Sequence, residues 1–515
     1  MTPEVNHSRR SFLGKAFLLG AAEAVGASKT WAGLLEASEA ASRPASGLKL
    51  PALMGDRFFT FNSIIRVNQI EMSRKRDEGV DEAVIHTPET VGALREAFEK
   101  AWPGGRMTWA FSWRALQDPR PNYEAIRKLV ARYVRNYGDE ATFEPWGGYA
   151  NYNRREQVKR DIHDGLALVS ALVGGGYRPR SLLACALNAE DQRYLAEEEG
   201  IHVCQGNIWS QYSIDDISSE GSVCYPYYPS REHFCKPAQG KEDFIDCVNL
   251  DGWTCDFLAA RRPGFKDGFN SRLGVGPIET VLTYGTEVGV KEMLATTAVH
   301  FDQGFALNNF AWVTDCWEVS LVEGRKIYNY HGRNGLDGLV LWLSEVRRRW
   351  PKAMCITQGE FGLAWRERFK DNAKWDYRFV ERGSGIGGSD ANMEIRWFMN
   401  KDFRLALLRD WKKNEPERVI DFTRYDLKAE EPTDLDRDWS TVDRRTQEAT
   451  REWSLMNRLN QKGVRPQDKP ILIGQLTVEE QAFIKRRCPE IFAPTPGGEL
   501  PPHGALQAPS RKPGE

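Results

Sequence analysis

The spacing of apolar segments between residues 57 and 357 is the feature that most restricts the fold of this chain. Short apolar runs typical of buried strands, such as Met107 to Trp113, alternate with helical segments such as Pro88 to Lys100. The alternation repeats seven or eight times, which indicates a parallel sheet whose strands are joined by helical crossovers. The sequence therefore predicts an α/β fold.

Two parallel architectures fit this alternation, a closed (β/α) barrel and an open doubly wound sheet. Open sheets that bind nucleotides usually carry a glycine-rich phosphate loop. No G-x-G-x-x-G follows the first strand, and G-x-x-x-x-G-K-[ST] does not occur in the chain. We therefore predict a (β/α) barrel of seven or eight strands over residues 55–364, in which the chemistry takes place at the carboxyl ends of the strands.

Composition divides the rest of the chain into further segments. A long irregular stretch rich in Tyr, Pro, Gly and Ser, about 207–276, is predicted to be an insertion in the barrel. The pattern changes after residue 364, which predicts a smaller β-containing C-terminal domain over 365–490. Pro and Gly dominate 493–515, so we expect this tail to be disordered.

The first residues have the composition of an export signal. Arg9 and Arg10 precede Phe12 and a moderately apolar run, Ala16 to Ala27, which is the arrangement of a twin-arginine signal. This run is too short to span a bilayer. We therefore expect 1–41 to be a signal peptide and leader, and the mature protein to be periplasmic or secreted. The expected partner is the twin-arginine export machinery, with no stable membrane anchor.

The overall composition limits the classes of ligand. The net charge is −2, so the chain lacks the general basic field that nucleic-acid binding requires. The 17 Trp, 16 Tyr and 24 Phe have two explanations, which are stacking on sugar rings and ordinary burial in a large core. Composition alone leaves both explanations open.

Several local segments resemble those of known barrels. A long helix is followed by Gly176-Tyr177-Arg178-Pro179, a strand, and a second helix that ends in Glu199-Gly200-Ile201. In this order the chain resembles the polysaccharide-deacetylase and related glycoside-hydrolase barrels. Ile201 to Gln211 and Tyr225 to Ser230 make it more similar still to a bacterial family described as glycoside hydrolase/deacetylase. The resemblance covers about residues 55–500 and implies a barrel fold and a carbohydrate substrate.

The resemblance stops at the metal site of the deacetylases. Metal-dependent deacetylases of this barrel type have two adjacent Asp at the end of the first strand and an H-x-x-x-H on a later element. Here the first strand ends in Phe59-Thr60-Phe61-Asn62-Ser63, and no H-x-x-x-H occurs among the eight His. This departure favours hydrolysis by carboxyl groups over the usual metal chemistry.

Carboxyl groups that follow predicted strands are the candidate catalytic residues. Glycoside hydrolysis needs two such groups on either side of the bond that breaks, and in a barrel they should follow different strands. Structural alternatives exist, such as a helix-dipole contact for Glu360 and an Asp-Gly turn for Asp251. The candidates at strand ends or in the insertion are Glu360, Glu144, Asp251, Asp256 and Glu318.

Two further sets of residues are candidates for binding. The aromatic side chains that would stack on sugars, each of which core packing would also explain, are Trp209, Tyr225, Tyr227, Trp253 and Trp312. His300 and Asp302, with His233 or Asp256 as a third ligand, would form a His/carboxylate site if the protein holds a divalent metal. A helix-end cap is the alternative for His300 and Asp302.

These observations predict an exported carbohydrate-active enzyme. The favoured reaction is glycoside hydrolysis by paired carboxyl groups at barrel strand ends. One alternative is a metal-dependent polysaccharide deacetylase with a non-standard site, which would require a divalent metal. The other is a glycan-binding protein without catalytic activity.

Overall fold

The structure consists of two parallel sheets, one antiparallel sheet and the helices that pack on them. The computed structural model of the protein describes residues 49–71, 78–145, 154–184, 187–205, 222–223, 225–252, 256–260, 278–322, 333–413, 415–429 and 470–492. Residues from Ala52 onward belong to one compact unit. Within the described ranges, no helix is long and apolar enough to cross a membrane. The predicted signal peptide and the predicted C-terminal tail lie outside the described residues.

The parallel strands form a five-stranded and a three-stranded sheet. The larger has the order β10-β1-β4-β5, with β9 also paired to β1, and the smaller has the order β6-β7-β8. The strands of the described residues are β1 (Arg57–Ile65), β2 (Asn68–Ile70), β3 (Glu78–Asp81), β4 (Met107–Ser112), β5 (Glu140–Glu144), β6 (Leu182–Leu183), β7 (Val203–Gln205), β8 (Val248–Asn249), β9 (Ala311–Cys316), β10 (Met354–Cys355), β11 (Tyr377–Arg382), β12 (Met393–Met399), β13 (Phe403–Asp410), β14 (Arg418–Arg424) and β15 (Ile471–Leu472).

Strand β1 has two buried faces of different character. Side chains alternate along a strand, so Phe59 and Phe61 share one face with Ile65, and all three pack in the core formed with the helices. The opposite face carries Thr60 and Asn62, which are also fully buried. Burial on both faces is characteristic of strands in parallel sheets, because helices cover them.

The polar face of β1 links the two parallel sheets. The Asn62 side-chain amide donates hydrogen bonds to Gln205 of β7 at 3.0 Å and to Gln358 at 2.8 Å. Thr60 bonds to Thr314 of β9 at 3.0 Å. Because β7 belongs to the smaller sheet and β1 to the larger, both sheets contribute to one polar interior.

The helices that cover these sheets follow the predicted order. Thr87 caps α1, where its side chain accepts a hydrogen bond from the Thr90 amide at 3.2 Å, and Gly138 ends α3 in a left-handed conformation with φ 74°. The helices of the described residues are α1 (Pro88–Ala101), α2 (Trp113–Gln117), α3 (Pro121–Tyr137), α4 (Arg155–Val173), α5 (Ala189–Glu197), α6 (Phe257–Ala260), α7 (Glu279–Tyr284), α8 (Thr286–Ala298), α9 (Phe305–Asn308), α10 (Val319–Val322), α11 (Leu336–Arg349), α12 (Gln358–Arg368) and α13 (Val478–Arg487).

The C-terminal part is an antiparallel sheet of order β11-β12-β13-β14-β15. Helix α13 packs on it, with the ring of Phe483 5.6 Å from that of Phe403. The mixed α/β class and a β-rich C-terminal part are thus confirmed. The barrel stays a prediction, because backbone pairing leaves the parallel strands in two sheets. The irregular stretch at 207–276 contains β8, which is too short to leave a periodic pattern in the sequence.

An aromatic core joins the antiparallel sheet to the parallel strands. The ring of Tyr225 lies 4.9 Å from the rings of both Tyr377 and Phe379 on β11. Its hydroxyl donates to the backbone carbonyl of Trp312 on β9 at 3.1 Å. The C-terminal sheet is therefore packed against β9 through fully buried side chains.

Three carboxyl groups meet where the antiparallel sheet approaches α8, and we call them the interface triad: Asp256, Glu292 and Glu381. Glu292 interacts with Asp256 and with the Ser384 hydroxyl, and Asp256 also interacts with Glu381. Burial and the nearby carboxyl group of Asp256 raise the pKa of Glu292 to about 9. The same two causes raise the pKa of Glu381. Glu292 therefore holds its proton at neutral pH, and the neutral form of Glu381 is favoured in the same way.

Replacing Glu292 by Gln should stabilise the protein more as the pH rises. The folded pKa of Glu292 lies above its unfolded value, so the stability it contributes is complete below about pH 4.3 and is lost towards pH 9. Gln cannot ionise, so the variant should gain about 1–3 kcal/mol relative to wild type between pH 5 and pH 9. Urea unfolding followed by Trp fluorescence measures this difference.

The control is Glu287→Gln, because Glu287 is exposed on the same helix. The two variants should differ in pH dependence but not in fold. If Glu292→Gln and Glu287→Gln follow the same stability curve across this pH range, the interface triad does not hold protons as described.

Candidate active site

Charged side chains collect at the carboxyl ends of the larger parallel sheet. In its register Ile64 is opposite Ala110, and Ser112 is opposite Glu144, so β1, β4 and β5 end at one level. Arg66 directly follows β1, and Glu318 follows β9 by two residues. We call four residues at this edge the rim cluster: Arg66, Glu144, Cys316 and Glu318.

Glu144 is a buried acid at the end of β5. Its side chain is fully buried, and neither carboxyl oxygen has a hydrogen-bond partner among the described residues. Burial raises the pKa of Glu144 well above its usual range, Arg66 opposes that shift, and Glu318 and Glu71 add to it. Since burial without hydrogen bonds disfavours the charged form, Glu144 is a neutral carboxylic acid at neutral pH.

Glu318 has the opposite environment. Its carboxylate lies 2.6 Å from the Arg66 guanidinium, and its side chain keeps 24% of its surface exposed. A close guanidinium stabilises the anion, and partial exposure lets a ligand reach it. Glu318 is therefore an ion-paired, accessible carboxylate near the buried acid Glu144.

Arg66 is held in place by a second carboxylate. Glu82 accepts two hydrogen bonds from the Arg66 guanidinium, at 2.7 and 2.9 Å, and Ser320 accepts a third at 3.1 Å. His86 contacts Glu82 at 3.3 Å. Burial opposes ionisation of Glu82, but Arg66 and His86 hold its pKa well below the usual range. The bidentate pair fixes the guanidinium plane and so the direction in which it meets Glu318.

Cys316 lies between the two acids of the rim cluster and an apolar layer below them. Its pKa is raised, first by burial and then by Glu318 and Glu144. Cys316 packs on Ile64, Ala110 and Leu183, which form a small separate cluster.

The rim cluster has the composition of an acid/base pair. Burial favours the neutral form of one carboxyl group, and the other is paired with a guanidinium. Two carboxyl groups whose environments separate their protonation states can act as proton donor and as nucleophile or base in one reaction. Of the five predicted catalytic carboxyl groups, the structure brings Glu144 and Glu318 together.

Glu360 lies at the other end of the parallel strands. Its carboxylate accepts from the Arg106 guanidinium at 2.9 Å and lies 3.6 Å from that of Arg180, and these arginines precede β4 and β6. Glu360 also forms a capping box with Thr357 at the start of α12. These contacts give Glu360 a structural role, since they engage the carboxylate away from the rim cluster.

Asp251 and Asp256 are likewise separate from the rim cluster. Asp251 follows β8, is fully buried and helps to raise the pKa of Tyr227. Asp256 belongs to the interface triad, and its side chain accepts from the Ala259 amide at 2.8 Å. Neither carboxyl group contributes to the pKa shift of Glu144.

The predicted sugar-binding aromatic residues are buried in the core where the structure describes them. Tyr225 bonds to the backbone of Trp312, and Tyr227 donates to the Phe234 carbonyl at 2.6 Å. The Trp312 ring stacks on Phe361 at 4.8 Å. These contacts fit the core-packing explanation of the three residues. Trp209 and Trp253 lie outside the described residues.

The three predicted metal ligands point to different neighbours. The His300 ring stacks on Tyr225 at 6.0 Å, and Asp302 accepts from the Trp350 indole at 2.7 Å. His233 accepts from a backbone amide at 3.0 Å. In the part of the chain that the structure describes, no group of three His, Cys, Asp or Glu has an arrangement suited to a metal ion. The predicted set of ligands is therefore not brought together.

Sequence reasoning missed Arg66 and Glu82, which organise the rim cluster. The available signal was the position of Arg66 directly after the apolar pair Ile64-Ile65 of the first strand. A charged residue there has to be paired or reach solvent. Its partners Glu82 and Glu318 are not adjacent to it in the sequence, so the pattern does not reveal them.

The fold and the rim cluster define an α/β protein with a candidate acid/base pair at the carboxyl ends of its parallel strands. The chain belongs to the family described as a domain of unknown function with a solved structure (DUF3863), whose profile matches residues 51–399. A second domain of unknown function with a solved structure (DUF3864) matches 404–451 and 443–491. None of the curated proteins matches the chain.

Solved structures confirm the resemblance to the glycoside hydrolase/deacetylase family. The crystal structure of a candidate glycoside hydrolase/deacetylase from Parabacteroides distasonis is 48% identical and covers 85% of this chain and 99% of its own, with a TM-score of 0.77. A GH57-type branching enzyme from Pyrococcus horikoshii is 11% identical, covering 58% of this chain and 68% of its own, with a TM-score of 0.32. A 4-alpha-glucanotransferase from Thermococcus litoralis is 13% identical, covering 60% and 40%, also at 0.32. The last two similarities are too weak to support an argument.

Replacing Glu360 by Ala should destabilise the protein without removing the rim cluster. The variant loses a capping box and an ion pair, so we expect the free energy of unfolding to fall by about 1–3 kcal/mol. Glu367→Ala is the matched control, since Glu367 is exposed on the same helix. Chemical unfolding of both variants measures the difference. Unchanged stability of Glu360→Ala together with lost turnover would instead support a catalytic role.

Proposed function

We propose that the protein is an exported glycoside hydrolase in which Glu144 is the proton donor and Glu318 is its anionic partner. The observation that carries this proposal is the contrast between the buried, neutral Glu144 and the ion-paired Glu318. The substrate class is supported by the relative from Parabacteroides distasonis, which is described as a candidate glycoside hydrolase/deacetylase.

The two carboxyl groups divide the reaction between them. Glu144 gives its proton to the glycosidic oxygen, so that the bond to the anomeric carbon breaks and the leaving sugar departs as a neutral alcohol. If the two carboxyl groups are about 5–5.5 Å apart, the Glu318 carboxylate attacks the anomeric carbon. If they are about 6.5–9.5 Å apart, it removes a proton from the attacking water. Water supplies the hydroxyl group of the product in both routes.

Arg66 positions the anionic partner. Its guanidinium pairs with Glu318, and its two bonds to Glu82 hold the guanidinium in place. Removing one partner of such a buried pair leaves an uncompensated charge, so Glu82 is a positioning residue for the site.

We also infer that the two parallel sheets are parts of one barrel. The Asn62 amide reaches Gln205 across the interior, and Thr142 of β5 bonds to the Ser181 carbonyl beside β6. Gly252 beyond β8 is packed directly against Thr314 of β9, leaving no room for a Cβ atom. These contacts join the two sheets at two places, between β5 and β6 and between β8 and β9. They support a barrel of seven or eight strands, and the rim cluster would then lie at its mouth.

Replacing Glu144 by Gln should reduce the turnover number by about 10²–10⁴-fold, because the amide cannot donate the proton. The assay is release of reducing ends from a panel of polysaccharides. Glu124→Gln is the control, since Glu124 is exposed and pairs with Lys128 on the surface of its helix. The activity of wild type should also fall as the pH rises through the raised pKa of Glu144.

Three outcomes would contradict this proposal. Full activity of Glu144→Gln would remove Glu144 from the mechanism. Release of acetate without new reducing ends, abolished by a chelator, would support a metal-dependent deacetylase. Binding of a polysaccharide with no product from any of the panel would support a glycan-binding protein.

Changing Arg9 and Arg10 together to Lys should stop export. Twin-arginine signals depend on the arginine pair, so the variant should accumulate at precursor length in the cytoplasm, whereas wild type should be shortened by about forty residues in the periplasm or medium. Cell fractionation with mass spectrometry of the intact chain measures both properties. Normal processing of the double variant would show that 1–41 is not a twin-arginine signal.

A further inference from the structure

A second charged cavity lies apart from the rim cluster. It has a volume of about 350 Å³ and is bordered by the first turns of α4 and α5 and by residues 231–245 and 428–429. This volume lies within the range of pockets that hold small ligands. The charged side chains that line it are Arg155, Arg193, Arg231, Lys428, Glu190 and Glu232.

Cations exceed carboxylates around this pocket, which we call the basic pocket. Glu190 is shared by two cations, Arg155 and Lys159, the second at 3.0 Å, although Lys159 also lies 3.7 Å from the exposed Glu156. Glu197, just outside the pocket, is also shared by two cations, Arg193 at 3.3 Å and Arg231 at 3.0 Å. A carboxylate that pairs with two cations leaves a net positive charge.

The two remaining charged residues that line the pocket, Glu232 and Lys428, do not neutralise its positive charge. Glu232 is neutralised from outside the pocket by Lys236 at 2.6 Å, and it also accepts from the Ala429 amide at 2.9 Å. Lys428 is exposed, and its charge helps Lys236 to stabilise the Glu232 carboxylate, so two lysines face this one carboxylate. The basic pocket therefore has a surplus of positive charge that its own carboxylates do not neutralise.

Contacts to the protein fix these cations before a ligand arrives. Arg231 bonds to the Phe244 carbonyl and to Glu197, and Arg193 bonds to the other oxygen of the same carboxylate. Side chains that are already ordered lose less conformational entropy on binding. Guanidinium groups also present paired N–H donors that match the geometry of carboxylate and sulfate oxygens.

We propose that the basic pocket binds an acidic saccharide unit through its carboxylate or sulfate group. A neutral sugar would gain nothing from the surplus of positive charge, whereas an oxyanion would neutralise it. The preference for an oxyanion follows from the charges of the basic pocket alone. The assignment of the oxyanion to a saccharide rests on the proposed function.

The test measures binding rather than turnover, so it is independent of the rim cluster. Isothermal titration of the mature wild-type chain uses four probes: trigalacturonate, a sulfated galactotriose, neutral galactotriose and sodium sulfate. We expect both acidic trisaccharides to bind at least 10-fold more tightly than galactotriose and sodium sulfate. Binding should weaken as the salt concentration rises from 50 to 300 mM.

Variants of the basic pocket assign this binding to it. Arg231→Ala and Lys428→Ala should each weaken binding of the acidic trisaccharides by about 10-fold, the effect of losing one charge-assisted contact. The control is Lys352→Ala, which removes an exposed lysine outside the pocket. Glu144→Gln should bind like wild type, so a failure of the proposed mechanism would not affect this result.

Three results would overturn the proposal. Equal affinity for galactotriose and the acidic trisaccharides would show that the surplus charge does not select an oxyanion. Equal affinity of wild type, Arg231→Ala and Lys428→Ala for trigalacturonate would show that the acidic sugar binds elsewhere. Sodium sulfate that binds as tightly as the sulfated trisaccharide would show an ion site without a role for the sugar.

Discussion

The buried guanidinium of Arg66 is the interaction on which the candidate active site depends. A cation with only 2% of its side chain exposed is costly unless carboxylates surround it, and here Glu82 and Glu318 both do. The pairing connects the end of β1 to the segments that follow β3 and β9. It thereby fixes where the anionic carboxylate of the rim cluster stands, and it leaves Glu144 as the carboxyl group without a cation of its own.

An arrangement of this kind is poorly explained by stability alone. Replacing a buried ion pair by apolar side chains is often neutral or stabilising, and a buried acid without hydrogen bonds is a further cost. The protein carries both at the edge where parallel strands place their chemistry. Perturbed carboxyl groups collected at one such edge are the pattern expected of a site that transfers protons.

The sequence predicted the elements of the fold better than the contacts between them. Strand-helix alternation led to the α/β class, and counting to strand ends led to Glu144 and Glu318. The same reasoning selected Glu360, because the apolar pattern around Met354–Cys355 predicts a strand that ends just before it. That strand pairs with Phe58 and Phe59 at the start of β1, so it ends well before the rim cluster. Its pairing partner depends on tertiary packing, and no local pattern in the sequence records this.

The two groups of carboxyl side chains show why residue type alone does not identify a site. In the interface triad, burial and the carboxyl group of Asp256 raise the pKa of both Glu292 and Glu381, so these two groups favour the protonated form. The rim cluster contains Arg66, which stabilises one carboxylate and leaves the other protonated. The members of the interface triad are buried, whereas the Glu318 carboxylate keeps 24% of its surface exposed beside its guanidinium partner. A cation and an accessible carboxylate therefore distinguish the rim cluster, which a ligand can reach, from a buried cluster of acids.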